Sequence, residues 1–307
     1  MERGERGERG ETVPLLESHM NAFLIALLSS APNPSPCEPG KFGPDCSLSI
    51  STIFKGHDVY HMRSGDVTKA ISKVKKELGG GSARLEGWSP SASFYEPFVR
   101  DLKPRLVVEV GVWKGKSCIF LADAMKKHIK GGTVIAVDTW LGALEFWTLR
   151  MSRGKSDPSR DLRLRHGYPH VYYEFVLNVL HSNISDYILP FPSTSRMANR
   201  FLKDANAVPD IVHIDAAHEY KDAAEDIALW HTSLRPGGLL LGDDFLKDWS
   251  GVVRASCEHA ERVNKPLYYS GQKWWVFKAG GDEEKEIAFN EANGRRVTQE
   301  LCSKLTS

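Results

Sequence analysis

The chain lacks any run of apolar residues approaching the roughly 18 that would cross a bilayer, so no helical membrane span is expected. It also lacks a charge excess of either sign. Lys plus Arg total 40 against 39 Asp plus Glu, a formal net charge of +1, and the basic surplus that a nucleic-acid partner requires is missing. Cysteine is sparse, at 37, 46, 118, 257 and 302. Cys118, Cys257 and Cys302 fall in segments that read as helical or terminal and are expected to be reduced. Cys37 and Cys46 bracket a compact Pro/Gly stretch, where a local disulfide fits if the chain enters the secretory pathway. What is present is ordinary for a globular protein: 41% hydrophobic and 26% charged residues. At 307 residues the chain can bury one substantial core and is slightly long for a single average domain.

The ends are the least structured in pattern. Residues 1–11 repeat Glu-Arg-Gly, a charged start with nothing to bury. Ala22–Leu28 is a short apolar run followed by Ser29, Ser30 and Ala31, which reads either as a signal-peptide core or as a weakly amphipathic leader. The compartment is open on that ground, between cytoplasm and secretory pathway. Residues 31–49 read as linker, and Glu38–Asp45 resembles the closing loop of an epidermal-growth-factor-like module. The organisation is therefore expected as leader and linker over 1–60, a helical extension over 61–104, a catalytic-type domain over 105–280, and a tail over 281–307.

Two helices are expected in the extension, Asp66–Leu78 and Ser93–Leu102. From Arg105 onward the pattern changes. Near-continuous apolar runs at Leu106–Val112, Thr133–Asp138, Tyr187–Phe191, Asp210–Asp215 and Leu239–Gly242 read as strands buried on both faces. Between them lie helical patterns at Lys116–Ile129, Tyr168–His181, Arg196–Ala205 and Lys221–Leu234, with Val252–Val263 after the fifth strand. This alternation implies an α/β fold with a doubly wound, mostly parallel sheet. Two further strands, Leu267–Ser270 and Trp274–Phe277, are separated by three residues, too few for a crossover, so the seven-stranded sheet should close with an antiparallel strand. Residues 141–167 are too long and polar for a routine connection. Arg150, Arg153, Lys155, Arg160, Arg163, Arg165 and His166, with Trp140 and Trp147 at the near end, read as a lid or as a solvated insertion.

Chemistry concentrates where strands end. In Glu109-Val110-Gly111-Val112-Trp113-Lys114-Gly115 a strand turns into a helix, and Gly111 and Gly115 would let the backbone approach a nucleoside ligand. Glu109 could face that ligand's amino group. The dinucleotide spacing of glycines at positions one, three and six is absent, because Trp113 stands at position three. Asp138, closing the second strand, is placed to accept from ribose hydroxyls and fits a nicotinamide or a sulfonium cofactor equally. Asp215 ends the fourth strand, and Asp243 and Asp244 end the fifth. Neighbouring strands lie about 4.8 Å apart, so three carboxylates should converge and attract a hard divalent cation such as Mg²⁺; helix capping is the simpler alternative. His218, in the loop after Asp215, suits a general base. His213 reads as a core histidine and His231 as an exposed one.

Ile214-Asp215-Ala216-Ala217-His218-Glu219-Tyr220, Leu234-Arg235-Pro236-Gly237-Gly238 and Gly242-Asp243-Asp244 together resemble class I methyltransferases of the metal-dependent O-methyltransferase kind. The resemblance covers residues 105–278 and is closest to the branch of macrocin-type sugar O-methyltransferases and cephalosporin-hydroxylase-like proteins. It implies S-adenosylmethionine held by Glu109, Gly111, Gly115, Asp138 and Asp215, a divalent cation held by Asp215, Asp243 and Asp244, and His218 as base. Catechol-type relatives carry lysine at the base position and asparagine as last ligand; the departure here favours a sugar or other small-molecule hydroxyl as acceptor. A chelating acceptor such as a vicinal diol would suit the cation. Homo-oligomerisation stays open. Two other readings stand beside this one: a methyltransferase-like binding protein without turnover, and a nicotinamide-dependent oxidoreductase.

Overall fold

The computed structural model describes residues 37–43, 45–60, 66–78, 91–147 and 161–307. The signal-like run, the Glu-Arg-Gly repeat and Arg150, Arg153, Lys155 and Arg160 of the expected lid lie outside the described residues.

One mixed sheet organises the molecule. Its strands are β1 (Leu106–Val110), β2 (Thr133–Asp138), β3 (Ile188–Pro192), β4 (Ile211–Ile214), β5 (Leu239–Gly242), β6 (Tyr268–Ser270), β7 (Lys273–Phe277) and β8 (Arg295–Arg296). The spatial order is β8-β6-β7-β5-β4-β1-β2-β3. The first five strands are mutually parallel, while β7 runs antiparallel to β5, β6 to β7 and β8 to β6. This is the α/β, mostly parallel, Rossmann-like architecture expected from the sequence, extended by one strand. The order switches direction between β1 and β4, and a doubly wound sheet opens its ligand crevice beyond the strand ends at such a point.

Alternation along each strand sends side chains to opposite faces. Val107, Leu239, Leu241, Trp275 and Phe277 pack with the helices Val67–Glu77, Ala92–Leu102, Lys116–His128 and Val171–His181. Val108, Val110, Val212, Ile214, Leu240, Trp274 and Val276 face the helices Ser195–Asp204, Tyr220–Ser233 and Ser250–Arg262. Asp210 fixes the strand starts: Oδ2 accepts from the Arg105 and Leu106 amides at 2.8 and 2.9 Å, and Oδ1 accepts from Arg235 at 2.6 Å.

Three expectations are corrected. The stretch read as linker is partly packed: Lys41–Phe42 and Leu48–Ser49 form a hairpin closed by a Cys37–Cys46 disulfide. Phe42 is buried in the core, and the Gly132 amide donates to the Cys37 carbonyl at 2.7 Å. The tail is structured, with helices Glu283–Asn293 and Gln299–Thr306 on either side of β8. And Cys257 and Cys302 are not reduced but bridged, tying the last helix to Ser250–Arg262. Closing 45 residues, this bridge should stabilise the fold by about 4 kcal/mol on loop-entropy grounds. The Cys257→Ser, Cys302→Ser protein is therefore expected to unfold at a clearly lower denaturant midpoint. An unchanged midpoint would show that the last helix adds nothing to stability.

His231 is also corrected, from exposed to buried. It meets His259 edge to face, ring centroids 4.6 Å apart, between the two helices that carry them. Burial pulls both imidazoles down to about 4. The folded protein keeps them neutral while unfolded chains protonate near pH 6.5, so the stability gained above that pH is lost as pH falls toward 4. Replacing His231 by Phe and His259 by Leu should flatten that part of the stability–pH curve, as read by urea midpoints at stepped pH.

Candidate functional site

The turn after β1 is built on positive-φ backbone, with Gly111 at +82° and Gly115 at +88°. A Cβ on Gly111 would stand 1.9 Å from the Asp215 carbonyl oxygen, and one on Gly115 would stand 2.7 Å from the Phe175 ring. The bare Cα atoms let neighbouring protein pack closely against the turn. Their effect is to seat the β1 turn directly on the β4 turn. Asp138 braces the same loop. Its Oδ2 accepts from the Val112 and Trp113 amides at 2.8 Å each, and its Oδ1 accepts from the Trp140 amide at 2.7 Å. Burial pushes its carboxyl above the usual range, against those backbone hydrogen bonds.

Parity along four adjacent strands places an ionisable group on the same sheet face. Glu109 and His213 sit opposite each other on β1 and β4, with His213 Nδ1 3.6 Å from Glu109 Oε1. Asp215, Asp243 and Lys273 follow at the crevice end of β4, β5 and β7. Tyr95 comes down from the helix Ala92–Leu102 with its ring 5.7 Å from that of His213. Ser117 donates to Glu109 Oε1, leaving Oε2 buried without a hydrogen-bond partner. That oxygen is an acceptor which an ammonium group would satisfy, so Glu109 fits the amino end of an amino-acid-bearing cofactor.

The three aspartates do not share one environment. Lys273 Nζ bonds Asp243 Oδ2 and stands 3.9 Å from Asp215 Oδ2. Burial raises the Asp215 carboxyl well above its usual range, although Lys273 opposes the shift. Asp244, in left-handed backbone at φ +64°, turns away and pairs with His218, Nε2 to Oδ2 3.0 Å. His218 stacks on Trp249 with centroids 3.9 Å apart. Gly251 lets that loop approach, since a Cβ there would stand 2.5 Å from the His218 carbonyl oxygen. The carboxylates expected to be bare toward a cation therefore already have partners, Asp243 and Asp215 beside Lys273 and Asp244 beside His218. Among the described residues no three His, Cys, Asp or Glu side chains are placed to hold a metal ion. The donor set does not fit the divalent ion that the resemblance implied.

Sequence reasoning missed Lys273 and Tyr95. The signal for Lys273 was available: it is the one charge in the strand Lys-Trp-Trp-Val-Phe, in phase with the buried Trp275. Of the expected lid, Arg163 and Arg165 point to the protein. Arg163 Nε pairs with Glu174 Oε2 at 3.2 Å, and Arg165 donates to the Glu77 carbonyl. Trp140 Nε1 donates to the Trp113 carbonyl at 2.8 Å, and Trp113 stacks on Phe146 with centroids 4.5 Å apart, giving the crevice an aromatic wall. Among the described residues no helix is long and apolar enough to cross a membrane.

Residues 108–245 match the family model described as a methyltransferase domain. Three solved structures resemble the chain. An O-methyltransferase from Bacillus cereus in complex with SAH shares 15% identity at TM-score 0.43, over 75% of this chain and 95% of its own. The O-methyltransferase NovP shares 17% at TM-score 0.44, over 70% and 100%. A calicheamicin methyltransferase shares 14% at TM-score 0.44, over 89% and 99%. No curated protein matches the chain in sequence.

Proposed function

We propose that this methyltransferase domain moves a methyl group from S-adenosylmethionine to a hydroxyl of a small molecule or sugar, with His218 as general base. The observation that carries the reading is the His218–Asp244 pair, 3.0 Å apart at the crevice end of β4 and β5, within a matched methyltransferase domain. When bound, the sulfonium cofactor supplies an electrophilic methyl carbon. The chain's own work is positioning and proton removal. Glu109 Oε2 would accept from the cofactor's amino group, and the Gly111–Gly115 turn braced by Asp138 would form the floor beneath it. Asp244 orients the imidazole, which takes the hydroxyl proton as the oxygen attacks. In balance, an O–C bond forms, the S–C bond breaks, the proton moves to His218 and a neutral thioether leaves. Fixing both reactants near attack distance provides much of the acceleration.

The direct test incubates the protein with methyl-labelled cofactor and pooled polyols, sugars and phenols. A mass gain of one methyl on an acceptor, absent from His218→Ala, is the expected result. Tight cofactor binding with no methylated product from any pool would instead favour a binding protein without turnover.

A further inference from the structure

Lys273 is 1% exposed and begins the otherwise apolar strand β7. Because β7 is antiparallel to β5, its first residue lies at the crevice end of the parallel strands, beside the residue that follows Gly242. Its ammonium bonds Asp243 Oδ2, stands 3.9 Å from Asp215 Oδ2 and 3.4 Å from His213 Nε2, and lies 5.5 Å from the Tyr95 ring centroid. A lysine is seldom fully buried without a carboxylate to receive it. Here two receive it, and they are two of the three that would otherwise have to hold a divalent ion. The ammonium offsets carboxylate charge that a second cation would need, and Lys273 occupies the space through which the two carboxylates would converge.

We infer that the Lys273 ammonium is the resident cation of this site, standing between Asp215 and Asp243 in place of a divalent metal. The inference rests on the proposed methyl transfer and specifies it. The acceptor need not chelate, so one hydroxyl suffices and a vicinal diol is not required. Lys273 is a positioning residue: it fixes Asp215 and Asp243, and through the β4 and β5 turns it fixes the loops that carry His218 and Asp244.

The experiment titrates Mn²⁺ into the full-length protein and reads free Mn²⁺ by electron paramagnetic resonance. In parallel, S-adenosylhomocysteine binding is measured by calorimetry with and without EDTA. The wild type is expected to leave the Mn²⁺ signal at its buffer amplitude up to millimolar metal, and EDTA to leave cofactor affinity unchanged. In Lys273→Met the unpaired carboxylates should gain Mn²⁺ affinity, because affinity in such sites follows ligand charge. The added metal should also recover part of that variant's lost melting temperature. Stoichiometric Mn²⁺ binding by the wild type that disappears in Asp243→Asn would overturn the inference. The wild-type titration needs no variant, so misfolding of Lys273→Met would not leave the question open. Absence of any homocysteine-product binding would count against the methyl-transfer reading alone, since the Mn²⁺ result is read independently.

Discussion

Gly111→Ala is expected to be the most damaging single substitution in the crevice, lowering stability by roughly 3 kcal/mol or more and removing cofactor binding. Two costs combine. The residue sits at φ +82°, where a Cβ strains the backbone, and that Cβ would meet the Asp215 carbonyl oxygen at 1.9 Å. Backbone cannot swing aside as a side chain can, so the β1 and β4 turns must separate. Gly271→Ala provides the control, because Gly271 has φ +60° with nothing within 4 Å of an added Cβ. Strain alone should cost it about 1 kcal/mol. If urea midpoints and homocysteine-product affinities of the two variants fall equally, the close packing of the two turns is not what holds the cofactor floor.

The second large effect concerns turnover without stability. His218→Ala should reduce kcat by about 10²–10⁴-fold while cofactor affinity stays unchanged, the range typical of losing a general base. Asp244→Asn should lower kcat less, since the imidazole remains on Trp249 but loses the carboxylate that orients it. His231, buried against His259 at the last turn of the helix Tyr220–Ser233, is the histidine whose loss should spare kcat. Equal loss from His218 and His231 variants would point to folding rather than base chemistry.

Much of this was legible in the sequence, for physical reasons that differ by element. β1, β2, β4 and β5 are buried on both faces and so appear as unbroken apolar runs, which fixed their place and their parallel pairing. The antiparallel ending followed from the three-residue gap read between the last two strands; in the structure that gap is Gly271 and Gln272. β8 was not legible, because Arg295 and Arg296 are both exposed and carry no alternation. The Cys257–Cys302 bridge joins helices 45 residues apart, a proximity that spacing cannot reveal. Within the crevice, the ends of neighbouring strands gather Glu109, Asp138, Asp215, Asp243, Asp244 and His218, and that gathering is legible from the strand pattern. What they hid was partnership. Carboxylates gathered from the chain look bare until the antiparallel strand brings Lys273 among them. In the same way the sequence does not show that Gly111 packs on the β4 turn.

The central claim is that the crevice above β1 and β4 receives a sulfonium nucleoside. Calorimetric titration of the wild type with S-adenosylhomocysteine, alongside NADH, tests it most directly. The account predicts saturable one-to-one binding of S-adenosylhomocysteine, lost in Gly111→Ala, and no heat from NADH. Binding of NADH with none of S-adenosylhomocysteine would contradict it.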